Sequence, residues 1–263
     1  MIHARFGIAI VLSLLSAPSA FSKKAPTISS EELAQITERG RALYAYDQAA
    51  WHATDAVLAT HPNKGEDNRY LVRKTDDGFI VAFGHLNESR DAFLIAYLAT
   101  QGKASQEFSV EHFETRKADR GYFLSAAKAV DLALRDFQPE NATYNVAVLP
   151  APEGQLYVYV FPAQTKEGVY LIGGDERYTV STDGNALVDK HRMHHSIVPF
   201  DTHSIPRGST LSAGFHVHVL SDVPEDSDVF YVLTRRPSIP EFIGFNGKVV
   251  YEIMEDGTIK PQK

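Results

Sequence analysis

Tyr144-Asn145-Val146-Ala147-Val148-Leu149 and Leu156-Tyr157-Val158-Tyr159-Val160-Phe161, with Glu153-Gly154 between them, decide how this chain reads. Both runs are rich in β-branched and aromatic residues, and the short glycine-bearing turn makes them neighbouring antiparallel strands. The same texture continues downstream through Val169–Ile172, Arg177–Ser181, Leu187–Val198, Phe215–Leu220, Val229–Leu233 and Phe242–Met254. Turns at Gly173-Gly174, Asp183-Gly184, Asn246-Gly247 and Asp256-Gly257 divide these runs.

Upstream, Ser29 and Glu32 are spaced as a capping box that opens a helix. Its apolar stripe runs through Leu33, Ile36, Leu43, Ala50, Trp51, Val57 and Leu58, with Trp51 as the expected anchor and Gly40 as a point of bending. Tyr70–Lys74, Phe79–Phe83 and Ala92–Thr100 then read as a small meander, and a second helix runs from about Ala118 to Phe137. Hairpin turns outnumber helical crossovers, so the expected fold class is α+β: two main helices packed on a largely antiparallel β-sheet. Residues 23–118 would form a helix-plus-meander part and 119–263 a helix-plus-sheet part, separate or as one continuous domain.

The first residues carry one basic side chain, Arg5, and an apolar run from Phe6 to Ala17 that is too short to cross a bilayer. Small residues around Ala20 and Ser22 follow, so residues 1–22 read as a cleavable signal peptide and the mature chain as a soluble protein of the periplasm or of the secreted fraction, without a transmembrane segment. The formal charge of −7, with no basic stripe, argues against nucleic acid as a partner. The absence of Cys excludes disulfides, thiol nucleophiles and Cys-ligated zinc.

Six of the eleven histidines lie between His191 and His218, which points to that region for a site. In Phe215-His216-Val217-His218-Val219, strand alternation puts both imidazoles on one face, with Val217 and Val219 expected to fix that face by burying the other. Two histidines at i and i+2 can share one ion, and zinc suits the donor type. A third ligand is available from Asp228 or Asp226 on the following loop, or from His194 or His195 on the preceding strand.

Gly214-Phe215-His216-Val217-His218, followed by Ser227 and Asp228, resembles the JAB/MPN metalloprotease motif, a His-x-His-Pro followed by Ser-x-x-Asp. The resemblance implies a zinc-dependent hydrolase with His216, His218 and Asp228 as ligands and an acid from an earlier strand. Val219 stands where that motif has proline, Ser227 adjoins Asp228, and the gap from His218 to Asp228 is one residue short. Glu153, Glu167 and Glu176 are the candidate acids, each near a turn.

Other patterns carry less. Ser125 and Lys128 have the Ser-x-x-Lys spacing, but the partner motifs of that nucleophile are missing. Asp222, Glu225, Asp226 and Asp228 lack the glycine and closing glutamate of a calcium loop. Tyr157, Tyr159 and Phe161 fit either a ligand platform or a second core face. With no complete catalytic constellation, the leading expectation is a non-catalytic exported envelope or binding module of unknown partner; the alternative is the JAB-like zinc hydrolase.

Overall fold

The computed structural model describes residues 28–62, 69–245 and 248–262. The signal peptide read over residues 1–22 and the Asn246-Gly247 turn lie outside them. The first helix, α1 (Ser30–Leu58), starts where the capping box places it: Ser29 Oγ accepts from the Glu32 amide at 3.1 Å, and Glu32 accepts from the Ser29 amide at 2.9 Å. Four strands follow as an antiparallel meander, β1 (Arg69–Thr75), β2 (Gly78–Leu86), β3 (Phe93–Gln101) and β4 (Phe108–Asp119). After α2 (Tyr122–Asp136) come β5 (Tyr144–Pro150), β6 (Leu156–Pro162), β7 (Val169–Ile172), β8 (Glu176–Val180), β9 (Leu187–Arg192) and β10 (Val198–Asp201). The chain closes with β11 (Gly214–Val217), α3 (Asp226–Thr234), β12 (Glu241–Phe245), β13 (Lys248–Ile253) and β14 (Ile259–Pro261).

These strands form four separate sheets, in the orders β1-β2-β3-β4, β5-β6-β8-β9, β10-β7 and β11-β12-β13-β14. The expected picture of two helices on a largely antiparallel sheet is therefore wrong: the molecule is mostly β, with fourteen strands and three helices among the described residues. Three local causes explain the difference. Val229–Leu233, read as a strand, lies in α3, because a short continuous apolar run has no period that separates helix from strand. The strand β4 escaped notice because its residues are largely polar or charged and none is fully buried. The run Leu187–Val198 breaks into β9, a turn at Met193–Ile197, and β10 on a different sheet.

Burial organises the sheets around the helices. The middle and later turns of α1 bury Leu43, Tyr46, Ala50 and Val57 against Val81, Phe83 and Tyr97 of the first sheet and Tyr159 and Phe161 of β6. Helix α2 packs an alanine-rich face, Ala126, Ala127, Ala129 and Ala133, against Phe93, Ile95, Val158 and Val160. Small side chains let that helix sit close to both sheets. The first turns of α1 instead meet α3 and the last sheet, where Leu33 and Ile36 join Val229, Val232, Ile243 and Ile253. Tyr159 and Phe161 are buried in one core cluster and Tyr157, partly buried, packs against it, so this side of β6 is a second core face. Trp51, by contrast, is 57% exposed, stacks on its neighbour His52 and does not join the core.

Gly40 does not interrupt α1. It is the crossing point with α3: a Cβ there would stand 2.5 Å from both the Asp226 carbonyl oxygen and the Val229 Cβ. Neither backbone nor a β-branched carbon can yield by that much. Gly40→Ala should therefore destabilise the fold by about 1–3 kcal/mol, despite alanine's better helix propensity. A thermal melt that shows Gly40→Ala equal to or more stable than the parent would disprove this crossing.

Candidate metal centre

Three segments converge on one point. The period of two turns His216 of β11 and His218, the residue just past its end, inward, and the His218 amide extends the ladder by donating to the Gly244 carbonyl oxygen of β12 at 3.0 Å. The valines do not supply a buried reverse face, as the sequence suggested. Val217 is 48% and Val219 71% exposed, so it is the histidine face that is buried, against α3 and the β9–β10 turn.

Asp228 comes from the first turn of α3, where its Oδ2 accepts from the Glu225 amide at 2.6 Å. A carboxylate in that position satisfies an otherwise free helix donor and suits the positive end of the helix dipole. His194 comes from the turn after β9. That turn is held by Arg192, whose side chain donates to the carbonyl oxygens of His194 at 3.2 Å and His195 at 2.7 Å. Beneath it passes Gly173, at φ +87°, where a Cβ would lie 2.2 Å from the Ser196 carbonyl oxygen. Only glycine fits so close an approach, and it brings Asp175 next to His194.

The donor atoms of His194, His216, His218 and Asp228 all lie within 4.8 Å of one another. His218 Nε2 is 3.1 Å from His194 Nε2 and 3.2 Å from His216 Nε2. Asp228 Oδ1 is 3.0 Å from His194 Nε2 and 3.1 Å from His216 Nε2, and Oδ2 is 3.1 Å from His218 Nε2. A tetrahedral ion with bonds of about 2.0–2.1 Å would space its ligand atoms by roughly 3.3 Å. The cluster is therefore of the right size to hold a metal ion and is largely screened from solvent.

The outer nitrogen of every ring faces an acceptor. His194 Nδ1 donates to Asp175 Oδ1 at 2.9 Å, His216 Nδ1 to Glu241 Oε1 at 2.9 Å, and His218 Nδ1 to the Val223 carbonyl oxygen at 2.9 Å. That pattern assigns the Nδ1–H tautomer to each neutral ring and leaves three Nε2 lone pairs aimed at one carboxylate. Such an assembly needs a cation, either a metal or bound protons. Glu241 is itself fixed by Arg235, only 1% exposed, which also donates to the Ile239 carbonyl oxygen at 2.9 Å.

The same demand for positive charge shows in the proton affinities. Burial pushes His216 down, but bonds to Asp228 and Glu241 and their charges outweigh it and lift it to about 9. Burial likewise opposes the charged form of His194, and Asp175 and Asp228 more than compensate, raising it well above the usual histidine range. For Asp228 burial works upward, yet the charges of His218 and His194 hold it well below the ordinary carboxylate value.

Of the residues expected from sequence, His216, His218 and Asp228 do meet, and His194 joins them. His195 does not: it is exposed and bonds Ser196 Oγ at 2.7 Å. Asp226 points elsewhere, accepting from Arg39 Nε at 2.9 Å, from Tyr159 at 2.8 Å and from Arg177. Among the candidate acids, Glu176 is buried, accepting from Tyr178 and paired with the exposed Lys190 at 3.1 Å, while Glu153 and Glu167 are exposed. The supporting acids are instead Asp175 and Glu241, which sequence reasoning missed. The only signal was their position beside Gly173-Gly174 and after Pro240.

Comparison with known protein families, with curated proteins and with solved structures finds no match for this chain. What fold and site define by themselves is a class: a β-rich protein with a buried three-histidine, one-aspartate cluster able to hold a metal ion. Among the described residues no helix is long and apolar enough to cross a membrane.

Two outcomes follow from this geometry. Glu241→Gln and Asp175→Asn keep shape but weaken the hold on an imidazole, so each should lower affinity for a divalent ion by about 10–100-fold; unchanged titrations by competition with a chelator would refute the supporting role. In the metal-free protein His216 has its pKa raised above the unfolded value, so its stabilising contribution is complete below about pH 6.5 and disappears as pH rises through about 9. A metal needs the ring deprotonated, so the gap in melting temperature between loaded and metal-free protein should widen from pH 6 to pH 9. A gap that narrows would contradict it.

Proposed function

We propose that this chain is an exported, non-catalytic metal-binding protein that holds one zinc ion in His194, His216, His218 and Asp228. The observation that carries the reading is the occupied outer nitrogen of all three rings, which turns every inner lone pair toward a single point. Nitrogen and oxygen donors at near-tetrahedral spacing suit zinc, which takes four protein ligands in structural sites. Four donors leave no open position for a reacting water, and that favours a binding or structural role over hydrolysis. Export rests on the short apolar run and small residues at the N-terminus.

A second reading has one observation in its favour. A His-x-His pair on a strand, followed by an aspartate in the first turn of the next helix, is the ligand order that the JAB/MPN resemblance implies. In that reading zinc would be held by His216, His218 and Asp228 with a water in place of His194, and would supply Lewis acidity and an activated water.

Cobalt substitution separates the two. Cobalt(II)-loaded protein should give the intense visible bands of a four-coordinate ion at one ion per chain, and His194→Ala should lose that signature and most of its affinity. A parent spectrum typical of five or six ligands, unaltered by His194→Ala, together with zinc-dependent amide hydrolysis, would replace the binding reading with the hydrolase. Failure of the parent to take up zinc or cobalt at all would remove both.

A further inference from the structure

The four donors are enclosed by more fixed charge than they carry themselves, and that charge is withdrawn from solvent. Three carboxylates belong to the assembly: Asp228 among the donors, Asp175 behind His194 and Glu241 behind His216, all of them buried. One cation stands against them. Arg235, equally buried, donates to Glu241 Oε2 and, at 2.9 Å, to the Ile239 carbonyl oxygen. With the three imidazoles as neutral ligands, the surroundings of an ion therefore carry two net negative charges. Glu225 and Asp226, the neighbouring buried acids, form a separate group with Arg39, Arg177 and His191. In that group the basic residues are no fewer than the acids, so it adds no negative charge to the centre.

Arg235 is built into its place. It follows the last turn of α3, and its guanidinium carbon lies 4.8 Å from the centre of the Tyr231 ring and 5.5 Å from that of Phe200, faces that exclude water and still favour a cation. Gly214, opposite Glu241 in the β11–β12 pair, leaves the room: a Cβ there would stand 1.8 Å from Glu241 Oε2 and 2.6 Å from Arg235 Nη1. The buried Arg235 Nε has no hydrogen-bond partner, so this side chain costs more to enclose than an apolar one of its size. A neutral donor would hold Glu241 in position as well as a guanidinium does, but it would leave three negative charges around the ion. At an effective dielectric constant of about 20, an uncancelled unit charge roughly 10 Å away alters affinity by about tenfold for each unit of charge on the ion.

We propose that Arg235 is the specificity-determining residue of this centre: its buried charge holds the surroundings at two negative charges and so matches the site to a divalent cation. The proposal rests on the zinc reading of the same four donors. With a divalent ion in place the buried assembly is neutral. A monovalent ion leaves one negative charge and a trivalent ion one positive charge, and either is expensive away from water. Arg235 bonds to Glu241 rather than to a ligand, so it acts through that carboxylate and through its own charge.

Zinc(II) and copper(I) separate charge from structure, because both are closed-shell ions and they differ by one unit of charge. Chelator competition under anaerobic conditions gives a dissociation constant for each ion, and the ratio of the two is the readout. Loosened packing weakens both ions together and leaves that ratio alone. Arg235→Met should shift the ratio toward zinc by about tenfold, and Glu241→Gln toward copper(I) by about tenfold. The double variant removes one charge of each sign, so its ratio should return to that of the parent. It also decides the matter if Arg235→Met alone does not fold, since it leaves no buried Glu241 charge unpaired. A ratio unmoved by Arg235→Met, or a double variant that keeps the ratio of Glu241→Gln, overturns the proposal and leaves the zinc reading standing. A parent that binds neither ion removes the zinc reading and this proposal with it.

Discussion

Three imidazole lone pairs and one carboxylate directed at a common centre cannot coexist without positive charge among them, and much of the last third of the chain is arranged around that constraint. It fixes the face that β11 buries, the depth at which the first turn of α3 sits, and the path of the turn that carries His194. The arrangement is costly in itself, since burying ionisable groups forfeits hydration that attraction alone repays incompletely. The outer acceptors reduce that cost. Each ring is neutralised at one nitrogen by Asp175, Glu241 or Val223, and Glu241 by a buried arginine, so that only the centre is left short of charge.

Helix α3 is the junction of two such assemblies. Asp228 faces the histidines, and two residues earlier Asp226 faces Arg39 of α1, Arg177 of β8 and Tyr159 of β6. Both carboxylates are fully buried, and neither stands without compensation. Because α1 crosses α3 at Gly40 while its later turns cover the first sheet, the helix that begins the described fold also sets the position of the ligand-bearing helix near its end. Packing and electrostatics thus act on the same short element.

The elements most legible in the sequence were those whose local chemistry has one meaning. Ser29 and Glu32 located the start of α1, and alternating Tyr157, Val158, Tyr159 and Val160 located β6. His216 and His218 were found because the strand period places both on one side whichever side is buried. The side itself was not legible: valines next to histidines suggest a buried valine face, and only the charge partners waiting on α3 and the β9–β10 turn reverse that preference. Val229–Leu233 failed for a related reason, since an apolar run of that length fits a buried strand and a buried helix equally well. Glu241 and Asp175 were invisible because their role depends on contacts across 25 and 19 residues of chain, which no local pattern encodes.

The parallel pairing of β11 with β12 has a topological consequence. A parallel pair requires a crossover, and here the crossover is α3, so His216, His218, Asp228 and the supporting Glu241 all belong to a single strand-helix-strand unit. Only His194 is recruited from outside it. An ion at the centre would therefore act as a clasp between that unit and the preceding sheet, closing the irregular chain between His194 and His216 into a loop. Its effect would be felt as strongly in the unfolded ensemble, whose freedom it curtails, as in the contacts it makes in the folded one.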